Sequence, residues 1–394
     1  MNDVFGGRRR KPDPARVAEF AATARKLHQE REASAALVDR LLRETPRGQW
    51  PQLAERDELR TSGALEQLSA EFAKRLNREP REALAISEIT TAITDTLPDD
   101  AYPRVVVAQL RAHAWKERGA ALGALSRHAE ALDAFDRAEQ VLAPFGTLAH
   151  DRAVVRLVHA STLQDVQRFE ESLALLRECT GVFADHGDYR RHLVCGIAQG
   201  VLMQRLGRFR EARATYLALI DVANTSGDRH CVASLHNNIG HASTELGDFD
   251  AADAHLSRAV ALLGELGEPL GVARAELARG RLMIRRGQID RGIAHLRTIR
   301  DQFLRHTLVE EAGLCALEMV EAFLATGSSH EAERLARTVI GEFTAARLNA
   351  RAITALGYLS EAIAARKASP QTIAQVREYI DSLHREPDRP FAYA

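Results

Sequence analysis

The sequence predicts an all-α chain of stacked antiparallel helix pairs, and three observations carry that prediction. Glycine returns at a fixed interval: Gly200, Gly240 and Gly280 are 40 residues apart, and so are Gly207, Gly247, Gly287 and Gly327. With 25 glycines in 394 residues, five such coincidences beyond the first of each series would arise by chance roughly once in a million. Apolar residues fall at helical offsets of three and four through most of the chain. The stretch His236–Val260 then reads as two amphipathic helices joined at Gly247-Asp248, with small Gly240 and Ala252 where the backbones touch. Leu246, Phe249 and Leu256 supply apolar bulk around that contact.

Composition narrows the function classes. Hydrophobic residues at 45% are enough for a core, while aromatics at 5% suit closely packed helices rich in Ala and Leu. Lys+Arg number 53 against Asp+Glu 54, so the global basic excess expected of a nucleic-acid-binding array is missing. No apolar run approaches 18 residues, and the N-terminal basic residues are not followed by an apolar stretch. A soluble, cytoplasmic protein is the expectation.

Along the chain, residues 1–15 are rich in Gly, Arg and Pro and read as a disordered basic tail. Residues 16–98 form an N-terminal helical segment: one helix to about Glu44, a connector at Gln49-Trp50-Pro51, then a degenerate helix pair. Ser62 is the expected cap of the first member of that pair, and Pro80 opens the second. Residues 103–384 hold seven regular repeats, and 385–394 a tail. In each repeat the second helix opens at one slot, filled by His128, Phe169, Phe209, Phe249, Ile289 and Ser329. Small residues such as Ala131, Ala212, Ala252 and Ala332 follow three positions later, and fillers such as Phe135, Tyr216, Leu256 and Leu296 four beyond those. These offsets put one apolar face on every second helix.

A glycine inside a helix costs about 1 kcal/mol against alanine. The recurrence of Gly119, Gly200, Gly240 and Gly280 therefore requires close approach of the partner helix. The glycines before Arg208, Asp248, Gln288 and Ser328 suit left-handed helix ends. Cys195 and Cys315 share a slot that Val155, Leu235, Ala275 and Ala355 fill elsewhere, which makes them core residues and not ligands.

Trp115, Gly119, Leu122, Ala131, Phe135 and Ala138 stand at the offsets of the tetratricopeptide repeat, and Ile239-Gly240, Gly247-Asp248-Phe249, Ala252 and Ala259 fit that pattern more closely. Residues 103–384 resemble seven such repeats, departing where Ala160, Val320 and Ser360 replace the packing glycine. The resemblance implies a right-handed superhelical solenoid of antiparallel helix pairs. Its 40-residue period is similar to that of bacterial regulatory and signalling members that capture peptides or partner proteins.

In that family, first-helix residues around the packing glycine line a concave groove. Carried onto this sequence, the resemblance implies a partner-binding groove of Gln204, Arg205, Asn237, Asn238, His241, Arg274, Arg281 and Arg285. Val194, Ile197, Val201, Thr244, Leu317, Glu318, Glu321, His113 and Lys116 are further candidates. Asn237 and Asn238 are poor helix formers whose carboxamides both donate to and accept from a bound main chain. The arginines on α-helical offsets offer a basic patch for an acidic peptide or a terminal carboxylate.

Catalytic and metal-binding patterns are missing: no HExxH, no GxGxxG after a strand, no GxxxxGK[ST] and no GxSxG. Neither an enzyme nor a cofactor is expected. The leading reading is a non-enzymatic scaffold for a protein or peptide, in bacterial signalling or transcription regulation. Its alternatives are a nucleic-acid-binding array, using the basic tail and the Arg274–Arg285 face, and a scaffold that self-assembles through its terminal helices.

Overall fold

The computed structural model describes residues 14–98, 100–346 and 350–383, so the expected tails, including Arg8 to Lys11, lie almost wholly outside them. Seventeen α-helices and three short 3-10 segments, with no strand, make up the secondary structure of the described residues. They fall into two compact units divided after His186.

Unit 1 contains α1 (Pro14–Glu44), α2 (Ser62–Arg75), α3 (Pro80–Asp95), α4 (Arg104–Ala124), α5 (His128–Leu142), α6 (Ala149–Asp165) and α7 (Phe169–Asp185). Consecutive helices pack in sequence order, and Phe72, Ile86, Ile89, Ile93, Leu122 and Phe135 lie in one continuous core. α1 takes in the last two residues of the expected tail and packs along α2. Gly63 permits this, because a Cβ there would run into the backbone of Glu30. The cap of α2 is Thr61, not Ser62: its side chain accepts from the Ala64 amide, while the Ser62 amide is held by Tyr102 and Glu30. The connector after α1 is a packed 3-10 segment in which Trp50 is buried and donates to the Thr45 carbonyl.

Unit 2 contains α8 (Tyr189–Arg205), α9 (Phe209–Ser226), α10 (Arg229–Glu245), α11 (Phe249–Glu265), α12 (Pro269–Arg285), α13 (Ile289–Arg305), α14 (Val309–Ala325), α15 (Ser329–Ala345), α16 (Ala350–Ala364) and α17 (Pro370–Leu383). Every helix-opening slot read from the sequence begins a second helix. The expected corner glycines sit at φ between 73° and 85°. Each closes its helix with the paired bonds of a Schellman turn: at Gly247 its amide meets the Thr244 carbonyl and the next amide meets Ser243.

The packing glycines do what their cost demands. A Cβ on Gly119 would come within 2.6 Å of the Phe135 ring, on Gly240 within 2.5 Å of Leu256, and on Gly280 within 2.6 Å of Leu296. Gly200 meets Tyr216 in the same way. Each glycine thus receives the filler of its own hairpin. Where Val320 takes the slot, the close approach moves to Gly313, which faces Phe343. Cys179, Cys195 and Cys315 are buried in the core.

Candidate partner-binding face

In unit 2 the first helices α8, α10, α12 and α14 approach one another more closely than the second helices do, so their outward flanks form the inner wall of the stack. The 40-residue period aligns side chains across that wall in rows. One row is Val201, His241, Arg281 and Glu321, and the next is Arg205, Glu245 and Arg285.

His241 stands at the centre. Its Nδ1 is 3.2 Å from Gln204 Nε2, and its Nε2 is 3.1 Å from an Arg281 nitrogen. A guanidinium only donates, so Nε2 accepts and the ring is neutral. Burial, then the charges of Arg281, Arg377 and Arg285, push the imidazole down to about 4, against the opposing pull of Glu245. Nδ1 then carries the ring proton and accepts nothing from Gln204, whose amide donates to the Asn238 main-chain oxygen and accepts from the Tyr216 hydroxyl, tying α8, α9 and α10 together. Asn238 therefore enters the network through its carbonyl. Asn237, one turn before His241, has a buried Oδ1 with no hydrogen-bond partner.

The arginines of this face are matched by carboxylates. Arg281 lies 3.0 Å from Glu245 and 3.7 Å from Glu318. Arg285 is 3.7 Å from Glu245 and 3.8 Å from Glu321, and Arg274 is 2.8 Å from Glu311. Glu245 was missed by the sequence reading, although its register with Arg205 and Arg285 places it in the same row.

A second group missed there comes from the end of unit 2. α17 packs on α16 and also on α14. Its Arg377 lies 3.0 Å from Glu321 and 3.4 Å from Glu318, and Glu378 is 3.7 Å from Arg205. Val376 and Tyr379 of this helix are buried in the core, yet its polar flank enters the inner face.

Of the other candidates, Val194 and Val201 on α8 are 49% and 39% exposed, with Ile197 half-buried between them. They form an apolar strip beside the polar cluster. Thr244 and Leu317 are buried instead: Thr244 donates to the Gly240 carbonyl, and Leu317 belongs to the core.

In unit 1, His113 meets Ser69 and Glu117. Ser69 Oγ is 2.9 Å from His113 Nε2 and donates to Glu117, whose Oε1 is 3.0 Å from the same Nε2. Lys116 Nζ stands 3.2 Å from Nδ1. A hydrolytic relay needs the carboxylate on Nδ1, opposite the serine. Here both sit on one nitrogen and an ammonium occupies the other, so the trio is a polar tie between α2 and α4. No group of three or more His, Cys, Asp or Glu among the described residues is arranged to hold a metal ion, and no helix among them is long and apolar enough to cross a membrane.

The tetratricopeptide repeat profile matches residues 196–265, which span α8 to α11. Among solved structures, the fold is similar to aspartyl phosphate phosphatase F of Bacillus subtilis, at 11% identity and TM-score 0.55, over 71% of this chain and 70% of that one. It is similar also to the apo form of RapI, at 9% identity and TM-score 0.56, over 71% and 97% of the two chains. A signal-transduction ATPase with a tetratricopeptide repeat sensor from Pyrococcus horikoshii aligns at 12% identity and TM-score 0.53, over 91% of this chain and 53% of that one. None of the curated proteins matches the chain.

Proposed function

From the premise that this is a tetratricopeptide-repeat protein, we propose that the inner face of unit 2 captures a peptide or a segment of a partner protein, without catalysis, in bacterial signalling or transcription regulation. The observation that carries this reading is the open apolar strip of α8, where Val194 and Val201 stay exposed beside the polar cluster of Gln204 and His241. The apolar strip of Val194, Ile197 and Val201 supplies the area that a bound chain needs for affinity.

Support for a signalling setting comes from the names of two structures of similar fold, a phosphatase of aspartyl phosphate and a signal-transduction ATPase with a repeat sensor. The compensated arginines favour a polypeptide over nucleic acid. Arg274, Arg281 and Arg285 each lie within 4.0 Å of a glutamate, which leaves little net positive field for phosphates.

The test is comparative affinity capture from a lysate of the source cells. The unaltered chain is set against one carrying Asn237→Ala and Val201→Asp, with helicity checked by circular dichroism. Proteins retained by the first and lost by the second support the groove. An identical set of captured proteins refutes it. A strong loss of capture with added salt, at equal helicity, would favour the nucleic-acid reading instead.

A further inference from the structure

Glu318 and Glu321 of α14 have their nearest cation on α17. Glu321 is 3.0 Å from Arg377 but 3.8 Å from Arg285, and Glu318 is 3.4 Å from Arg377 but 3.7 Å from Arg281. Arg281 in turn is drawn towards Glu245, at 3.0 Å. Glu318 is 8% exposed and Arg377 only 19%, so this pairing is shielded from solvent as few in the chain are. Were α17 to leave, Glu318 and Glu321 would lose their nearest cation, and Arg205 its contact with Glu378.

The rest of α17 is suited to a reversible seat. Ile373, Val376 and Ile380 are buried against the end of the stack, while Arg377 and Glu378 form the flank that reaches Glu321 and Arg205. The connection from α16 passes through Arg366 at φ 54°, a left-handed conformation that a residue with a Cβ adopts at a cost. α17 thus crosses from the last hairpin onto the wall where the proposed groove lies.

We propose that α17 is a built-in occupant of the inner face, and that the partner segment replaces it by placing its own cationic side chain, an arginine or lysine, on Glu318 and Glu321. This rests on the groove reading above and adds the chemistry of the partner and the means of control. A tethered helix competes at an effective concentration of about millimolar, so a partner lacking that cation is excluded.

The probe is a fluorescently labelled synthetic peptide of residues 370–383, titrated into the full chain by anisotropy. In the unaltered chain the tethered copy competes and binding is weak. In a chain carrying Arg377→Glu the peptide binds at least about tenfold more tightly, and adding Glu321→Lys to that chain restores the internal pair and cancels the gain. A peptide with the same Arg377→Glu change gains nothing on the Arg377→Glu chain. Equal affinity of the unaltered and Arg377→Glu chains overturns the proposal, and so does a gain that Glu321→Lys fails to cancel. Should Arg377→Glu not fold, Arg377→Met keeps the apolar stem, and the same tenfold comparison with the unaltered chain decides. Loss of capture in the Asn237→Ala, Val201→Asp chain together with a failed peptide titration would reject the latch alone.

Discussion

Gly240 in α10 faces Leu256 in α11 so closely that a Cβ on the glycine would lie 2.5 Å from the leucine Cγ. The Ala252 carbonyl stands 3.3 Å from the same point, so the neighbouring backbone limits any retreat. Gly240→Ala is expected to destabilise unit 2 by about 1–3 kcal/mol through overpacking. Gly181, inside α7, has nothing within 4 Å of its Cβ position, and Gly181→Ala is expected to stabilise unit 1 by about 1 kcal/mol. Urea denaturation of the two variants would show opposite shifts of midpoint. The same sign for both would contradict the packing role of Gly240.

This contrast explains what the sequence made legible. A packing glycine repeats because its filler repeats, so the period of 40 made the hairpins legible in the sequence. The reading still took only half of the glycine pattern. Gly187, Gly227 and Gly267 form a second series, also at positive φ, that closes the second helices and spaces the corners by 20. The site was less legible. Rows along the wall follow from the period, and Glu245 could have been found beside Arg205 and Arg285. The pairing of Arg281 with Glu318 depends on how closely the first helices converge, which no single repeat encodes. Arg377 reaches the wall because α17 packs on α14 as well as on α16, a contact that no repeat pattern encodes.

Thr307 occupies a corner that glycine fills at Gly187, Gly227 and Gly267, with φ of 59°. A β-branched residue in the left-handed region carries a steric cost of about 1–2 kcal/mol. Thr307→Gly is therefore expected to raise the stability of unit 2 by about 1 kcal/mol, part of the gain being offset by the entropy of the unfolded glycine. Calorimetry should show a higher Tm. An unchanged or lowered Tm would mean that the threonine pays for its conformation through contacts of its own.

Tyr102 fastens α1 to the start of α2. Its hydroxyl accepts from the Ser62 amide at 2.9 Å and donates to Glu30 at 2.6 Å, and burial with the Glu30 carboxylate pushes the phenol up to about 12. Tyr102→Phe removes a bond to a charged acceptor and leaves the Ser62 amide with Glu30 alone, at 3.1 Å. The expected cost is about 2 kcal/mol. Hydrogen exchange should quicken at Ser62 and along the second half of α1 while α5 stays protected. Uniform exchange across unit 1 would show that the fastening is not local.

His241 and His236 are both held neutral inside unit 2, each pushed down to about 4. For His241 the causes are burial, then Arg281, Arg377 and Arg285, against Glu245. For His236 they are burial, then His255 and Arg258. An imidazole whose folded pKa lies below its unfolded value of 6.5 takes up its proton on unfolding, so the unfolded state binds more protons between pH 6.5 and 4. Stability is thus complete above pH 6.5 and falls as the pH drops towards 4, by up to about 1.4 kcal/mol per pH unit for each ring. His241→Gln keeps a polar group beside Gln204 and Arg281 but cannot titrate, and is expected to flatten the dependence by nearly one proton. Urea unfolding of unaltered and variant chains at pH 7, 6 and 5 measures those slopes. If the slopes are equal, His241 protonates as readily in the folded wall as in water, and the neutral ring between Arg281 and Gln204 is wrong.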